Sequence, residues 1–269
     1  MKKEKAMKIA VCIKQVPDTT EVKLDPKTNT LIREGVPSII NPDDKSGIET
    51  ALQLKEQLGA TVTVVCMGPP QADVALREAL AMGCDEAVLV SSREFGGSDT
   101  YATAHILAAA LKKIGYDLIL TGRQAIDGDT AQVGPQLAEQ LGIPQVSYAM
   151  NVKSEGGGSL LIKRQYEECY HTIRVKTPCL LTFLAEAAEP RYMTVRGVVG
   201  AYNSEVKMLS FEDLKELLNP EWIGLNGSPT KVSKSFTKQA KGQGTKLTGL
   251  SADEAVAAIV EKLDELHVI

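Results

Sequence analysis

Apolar positions along the chain follow two rhythms that take turns. Short apolar runs at residues 8–16, 61–67, 86–90 and 117–120 have the length and composition of strands buried on both faces. Between them, apolar residues recur every three or four positions: Ile48, Leu52, Leu54 and Leu58; then Val74, Leu76, Leu80 and Met82; then a stretch over 101–114; then Val133, Leu137 and Leu141. That is the spacing of one helix face. Gly59, Gly83, Gly115 and Gly142 stand just past these stretches, where a helix commonly ends. A further strand is expected around 146–152. Five strand-like runs alternating with four helical stretches predict an α/β fold, a doubly wound and mostly parallel Rossmann-like sheet.

The texture then changes. Residues 150–153 and 160–164 flank the turn Glu155-Gly156-Gly157-Gly158-Ser159, and β-rich runs follow at 170–175 and 179–184. These predict antiparallel strands that extend the same sheet. Earlier, Asp25-Pro26-Lys27-Thr28-Asn29-Thr30 reads as the turn of a peripheral hairpin between 22–24 and 31–33. Residues 186–207 read as a loop and 211–218 as a short helix. Residues 226–248 form a polar arm with little to bury. Ser251 and Glu254 form a capping box that opens a last amphipathic helix, with Ala255, Ile259 and Leu263 on one stripe. Two parts are therefore expected, an α/β nucleotide-binding domain over 1–225 and an arm over 226–269 that is ordered only by lying on another surface.

Composition narrows the function by exclusion. With 269 residues, 43% of them hydrophobic, the chain can bury a full core. A net charge of −4 with dispersed lysines suggests neither a nucleic-acid groove nor an anionic membrane surface. The N terminus lacks the apolar core of a signal peptide, no segment is long enough to span a bilayer, and a cytoplasmic protein is expected. Five cysteines without a CxxC pair read as free thiols. His105, His171 and His267 are far apart and read as packing or surface residues. The sequence offers no nucleophile triad, metal cluster or paired acid and base. Redox chemistry would therefore belong to a bound cofactor.

The most informative stretch begins as the 117–120 strand ends. Gly122 to Asp129 is a long polar loop at the carboxyl end of a parallel strand, where α/β sheets bind ligands. Asp129 and Gln132 have capping-box spacing. The amides of Thr130, Ala131, Gln132 and Val133 would then form a positive helix end suited to a pyrophosphate. Asp127 is expected to accept from ribose or ribityl hydroxyls or to hold Arg123. A second loop, Ser91 to Thr100, carries the run Gly96-Gly97-Ser98-Asp99-Thr100. This run is similar to the SGGxDS loop of ATP-pyrophosphatase enzymes, but it follows the fourth strand where theirs follows the first. A helix capped by Ser98 or Asp99 accounts for most of it, and a second nucleotide such as NADH at Phe95, Gly96, Gly97 and Thr100 is the sharper reading.

Together, GRQAIDGDTAQVG, VCIKQVPDT, INPDD, VVCMGPPQA and EPRYMTVRG resemble the beta (small) subunit of electron transfer flavoproteins, in order from about Met7 to the C terminus. The wording of GRQAIDGDTAQVG, QVPDT and REFGGSDT looks most like the electron-bifurcating branch. There, by resemblance, this subunit holds its own FAD where the simpler branch holds AMP. The resemblance implies a cofactor near Cys12, Asn41, Cys66, Gly122, Arg123, Gln124, Ala125, Asp127, Asp129, Thr130, Ala131, Gln132 and Val133. For Asn41 a plain helix-capping role stands beside the adenosine contact.

The resemblance also implies an alpha-subunit partner bearing a second FAD, NADH as electron donor or acceptor, ferredoxin, and a flavin dehydrogenase. Residues 186–206 would be the dehydrogenase-recognition segment, with Tyr192 and Val195 as docking residues. The mitochondrial pattern continues into consecutive lysines, whereas this chain has Val198-Val199-Gly200-Ala201-Tyr202. An acyl-CoA dehydrogenase is therefore one candidate beside a 2-hydroxyacid (lactate-type) dehydrogenase. The rival readings are an AMP-carrying module without redox chemistry of its own and a free-standing enzyme of ATP-pyrophosphatase type.

Overall fold

A computed structural model describes residues 6–18, 37–233, 242 and 244–269. The hairpin expected over 22–33 lies outside them. The N-terminal run divides at Lys14: β1 (Lys8–Ile13) enters the central sheet, and β2 (Gln15–Pro17) pairs antiparallel with β3 (Ser38–Ile40). There follow α1 (Pro42–Leu58), β4 (Thr61–Met67), α2 (Asp73–Met82), β5 (Glu86–Val90), α3 (Thr100–Ile114), β6 (Leu118–Gly122) and α4 (Val133–Leu141). Next come β7 (Gln145–Gly156), β8 (Ser159–Gln165), β9 (Tyr170–Lys176), β10 (Cys179–Phe183), α5 (Val195–Asn203) and β11 (Val206–Leu209). The chain closes with α6 (Phe211–Leu214), α7 (Gly224–Gly227) and α8 (Ala252–Glu265).

The main sheet has nine strands in the order β11-β5-β4-β1-β6-β10-β7-β8-β9. Its strands are parallel from β11 to β7, and only β8 and β9 are antiparallel. Side chains alternate between two cores, as the pleat requires. Ile9, Val11, Val62, Val64, Leu118 and Leu120 face α1 and α2, while Ala10, Val65, Val88 and Ile119 face α3 and α4. Strand order reverses between β1 and β6, which makes this the ligand-binding switch point of a doubly wound sheet.

Two expectations are corrected. The run at 179–184 does not continue the antiparallel extension. As β10 it slots between β6 and β7, parallel to both. The reason lies in its composition: CLLTF is buried at every position, as a central strand must be, whereas β9 alternates and is largely exposed. Residues 186–207 are a loop only in part: 188–194 have no helix or strand, but α5 and the start of β11 follow. Thr194 caps α5 by accepting from the Gly197 amide, and α5 packs on α2. A side chain at Gly197 would overlap the Ala81 carbonyl, so that glycine permits the close approach. Two glycines and the β-branched Val195, Val198 and Val199 give α5 poor helix propensity, which its tertiary packing overrides.

The short helix expected over 211–218 contracts to α6, opened by a Ser210–Asp213 capping box. The capping box of Ser251 and Glu254 forms as expected, and none of the residues of α8 is buried. Among the described residues, no helix is long and apolar enough to cross a membrane. His105 is a packing residue: its ring meets Trp222 edge-on at 5.4 Å and Nε2 accepts from the Asn219 amide at 2.9 Å.

Candidate functional site

A cleft of about 900 Å³ opens at the carboxyl ends of β1, β4, β5 and β6. Cys12 and Lys14 form its floor, residues 122–134 one wall and residues 91–100 the other. The volume lies at the upper end of ordinary ligand pockets. Of the residues singled out in the sequence, Gly122, Arg123, Gln124, Ala125, Asp129, Thr130, Ala131, Gln132 and Val133 line the first wall. Phe95, Gly96, Gly97 and Thr100 line the second, and Cys12 and Asn41 lie between. Cys66, 1% exposed, is buried in the sheet, and Asp127 turns its side chain away from the cleft into the protein. Tyr192 and Val195 stand elsewhere, at the start of α5, 96% and 84% exposed.

The floor is organised by three polar residues where α1 begins, Asn41, Asp43 and Asp44. Asn41 is buried and stands at the N-cap of α1 without a side-chain cap bond; its amide donates to the Gln124 carbonyl at 2.8 Å and its oxygen accepts from the Ile126 amide at 3.1 Å. Both halves of its side chain thus hold the loop that forms the first wall. Asp43 accepts from the Ala185 amide at 2.9 Å and from the Gln124 amide at 3.4 Å, and its Oδ2 lies 3.6 Å from Nε of Arg123. Asp44 accepts from the Lys14 and Gly122 amides, each at 2.8 Å. It bridges the ends of β1 and β6 where the strands part. Burial pushes the Asp44 carboxyl up to about 7, the two amide hydrogen bonds opposing it. Burial likewise pushes the Cys12 thiol far up and the Cys66 thiol up to about 12, so neither is a thiolate nucleophile.

Several local expectations change. Asp129 does not cap α4: the N-cap is Gln132, without a side-chain cap bond. Asp129 and Ala131 instead take positive φ (51° and 52°), and Asp129 accepts from the Gln124 side chain at 2.9 Å. The helix therefore starts three residues later than a cap at Asp129 requires, and Val133 and Gly134, rather than Thr130 and Ala131, hold its free amides. Asp127 does not hold Arg123; it forms an ion pair at 2.6 Å with Lys14, its side chain only 6% exposed. On the second wall Asp99, not Ser98, caps α3 by accepting from the Ala102 amide at 3.0 Å, while the Ser98 hydroxyl donates to the Phe95 carbonyl. Phe95 itself is buried edge-on against Phe211, which leaves the backbone of Gly96 and Gly97 to face the cleft.

The two walls touch. The Thr100 hydroxyl donates to the Gln132 side-chain oxygen at 3.0 Å, joining the first residue of α3 to the residue that caps α4. The second wall is also held from behind: Leu225 donates to the Gly96 carbonyl, and Thr230 donates to Asp99 through its amide and hydroxyl. Residues 224–230 are thus stitched to the body across the boundary expected at 225/226.

Comparison with known proteins decides the family. The electron transfer flavoprotein domain profile matches residues 28–214. The chain is 56% identical over 263 residues to the electron transfer flavoprotein subunit beta of Clostridium acetobutylicum, covering 98% of this chain and all of that one. The chain belongs to the electron transfer flavoprotein family. It is similar along its whole length to beta-type subunits. The caffeyl-CoA reductase-Etf complex subunit CarD of Acetobacterium woodii is 53% identical over 265 residues, and the acryloyl-CoA reductase electron transfer subunit gamma of Anaerotignum propionicum 51% over 270. Both alignments cover 98% of this chain and all of the relative.

Lys14, Asp43 and Asp44, which brace the floor and first wall of the cleft, lie outside the ligand positions that the motifs imply. Lys14, Asp43 and Asp44 do not stand out as ligands in sequence, since acids in the first turn of a helix ordinarily offset its dipole. The available signal was register: Asp44 sits four before Ile48 and eight before Leu52, on the apolar stripe of α1, so its carboxylate is carried into the core. A buried carboxylate there must find donors, and the strand ends supply them.

Proposed function

We propose that the cleft binds FAD and that the chain serves as the beta subunit of a heterodimer passing electrons between NADH, ferredoxin and a flavin dehydrogenase. The carrying observation is that one cleft of about 900 Å³ runs without interruption from the wall at 122–134 to the wall at 91–100. A dinucleotide fits such a space, whereas AMP would occupy only part of it.

The residues present suit an anionic dinucleotide. The guanidinium of Arg123 is held only at 3.6 Å by Asp43, its buried Nε has no hydrogen-bond partner among the described residues, and the rest of the guanidinium is free to take a phosphate oxygen in the cleft. The free amides that open α4 point the same way. When bound, the flavin supplies hydride acceptance and one-electron release. The chain's own part is to bind and orient it: Asn41 fixes the loop backbone, Asp44 fixes the split between β1 and β6, and the Lys14–Asp127 pair braces the floor. The second wall, with the Gly96 and Gly97 backbone facing inward, is where NADH would approach. The resemblance of the GRQAIDGDTAQVG, QVPDT and REFGGSDT text to the bifurcating branch, and relatives named as subunits of a caffeyl-CoA reductase-Etf complex and of acryloyl-CoA reductase, support two-way delivery of electrons. The exposed apolar side chains of α8, Val256, Ile259 and Val260, fit docking on the alpha subunit.

Flavin and AMP content of the gently purified heterodimer tests the reading. Two FAD per alpha-beta pair are expected; one FAD and one AMP would return the chain to the AMP-carrying branch. The ATP-pyrophosphatase reading is disfavoured because Asp99 is committed to capping α3 and to Thr230, and ATP turnover by the chain would revive it.

A further inference from the structure

Three polar residues on one face of α1 hold the segment that leads out to α5. Asp43 accepts from the Ala185 amide at 2.9 Å, Ser46 Oγ from the Ala188 amide at 3.0 Å and Glu49 Oε2 from the Arg191 amide at 3.1 Å. The spacing is three residues on both sides, which keeps the acceptors on one face of the helix. All three acceptor residues are buried, so water does not compete and each bond is obligatory once formed. Glu49 goes further and takes the Arg191 guanidinium at 2.8 and 3.0 Å, with Glu56 binding its other side at 2.6 Å. Immediately after Arg191 come Tyr192, Met193 and the Thr194 cap of α5. The other end of this rail lies directly behind the first wall of the cleft, where Asp43 also receives the Gln124 amide and faces Arg123, both of which line the cleft.

We propose that Asp43 is a positioning residue shared by the cleft and the segment 185–191, so that a nucleotide ordering Arg123 and Gln124 also orders the approach to α5. The inference rests on the nucleotide reading of the cleft and adds to it that this site and the partner-facing helix are energetically linked. Coupling of this kind operates through ordering: the carboxylate of Asp43 is fixed once by the loop, and the amide of Ala185 then meets a preset acceptor. By linkage, a partner seated on α5 would tighten the nucleotide by the same factor.

Amide hydrogen exchange of the full heterodimer, depleted of nucleotide in this cleft and then refilled with ADP as probe, tests it. In the wild type, exchange at Ala185, Ala188 and Arg191 is expected to slow by roughly fivefold or more, the lower range of ordinary coupling between sites. Asp43→Asn keeps an oxygen for the Ala185 amide but gives up the charge facing Arg123; ADP is expected to bind more weakly, and at ADP concentrations that saturate the variant the slowing at Ala188 and Arg191 is expected to disappear. Ser46→Ala cuts the rail in its middle and is expected to keep the slowing at Ala185 and lose it at Arg191, a pattern that general loosening of the fold would not give. ADP bound with unchanged exchange over 185–191 in the wild type, or full slowing in both variants, overturns the linkage. If ADP does not bind the wild type at all, the nucleotide reading itself fails.

Discussion

The Asp44 carboxylate receives the Gly122 amide at 2.8 Å, and Gly122 is where a side chain could not be: a Cβ there would overlap Asp44 Oδ1 and come within 2.8 Å of the Asp43 Cβ. The last residue of β6 and the first turn of α1 are thus fitted to one another at the switch point. Gly122→Ala must push the carboxylate off both strand ends in a close-packed interior, at a cost of roughly 1–3 kcal/mol. Denaturant titration is expected to show a lower midpoint with an unchanged slope. A midpoint equal to the wild type would mean that α1 gives way freely and that the fit is incidental.

The same carboxylate makes stability depend on pH. Its pKa is raised from 3.8 to about 7 in the folded chain, burial outweighing the amide hydrogen bonds. The folded state therefore holds the proton more tightly than the unfolded state, and stability from this group is full below about pH 4, falls as pH rises towards 7 and is level above it. Asp43, also raised by burial ahead of the opposing Arg123, adds to the fall in the same direction. Unfolding free energies measured from pH 5 to pH 8 should decline, and Asp44→Asn, which has no proton to hold, should flatten the decline. An unchanged slope in the variant would assign the pH dependence to other groups.

How much of this was legible depends on whether the information was local. The alternation of apolar runs and helical stripes, with Gly59, Gly83, Gly115 and Gly142 as stops, places β1, β4, β5 and β6 and the helices between them, because period and glycine stops are properties of a few adjacent residues. Spatial neighbours are not. CLLTF announces a strand buried on both faces, yet only the assembled sheet shows it beside β6 and not beside β9. The helix α5 was hidden because the glycines and β-branched valines of VRGVVGAY give it poor helix propensity, and its packing is on α2. In the site, the wall at 122–134 was read from its text, whereas the partners of its side chains were not. Asp127 meets Lys14 and Asp129 meets Gln124, pairings that depend on where the strand ends lie.

The contact between Thr100 and Gln132 joins the two walls, so its loss should act on binding more than on folding. Gln132 is exposed and Thr100 half-buried, and a single hydrogen bond contributes about 1 kcal/mol. Gln132→Ala is expected to weaken the flavin proposed for this cleft by about fivefold, with Tm close to the wild type. Thr100→Val should do the same, and the double variant should lose little more than either single one, since the two changes remove one bond. Additive losses would show that each residue meets the ligand separately; a fall in Tm with flavin affinity intact would make the contact purely structural.

The exposed start of α5 gives the last prediction. Val195 is its first residue, 84% exposed beside Tyr192, with Val199 and Tyr202 also exposed farther along the same helix. Apolar side chains left in water by the fold are what a partner's pocket would cover, and burying one such valine contributes roughly 1.5 kcal/mol or more. Val195→Asp suits the test because an acid in the first helical turn is favourable to the helix, so the fold should survive the change. Dehydrogenase-coupled electron transfer is expected to drop by about tenfold or more, while NADH oxidation with an artificial acceptor stays at the wild-type rate. Acyl-CoA and 2-hydroxyacid dehydrogenases assayed side by side would identify the partner by which coupling is lost. Loss of neither rate, or of both in proportion, would show that Val195 does not carry the docking.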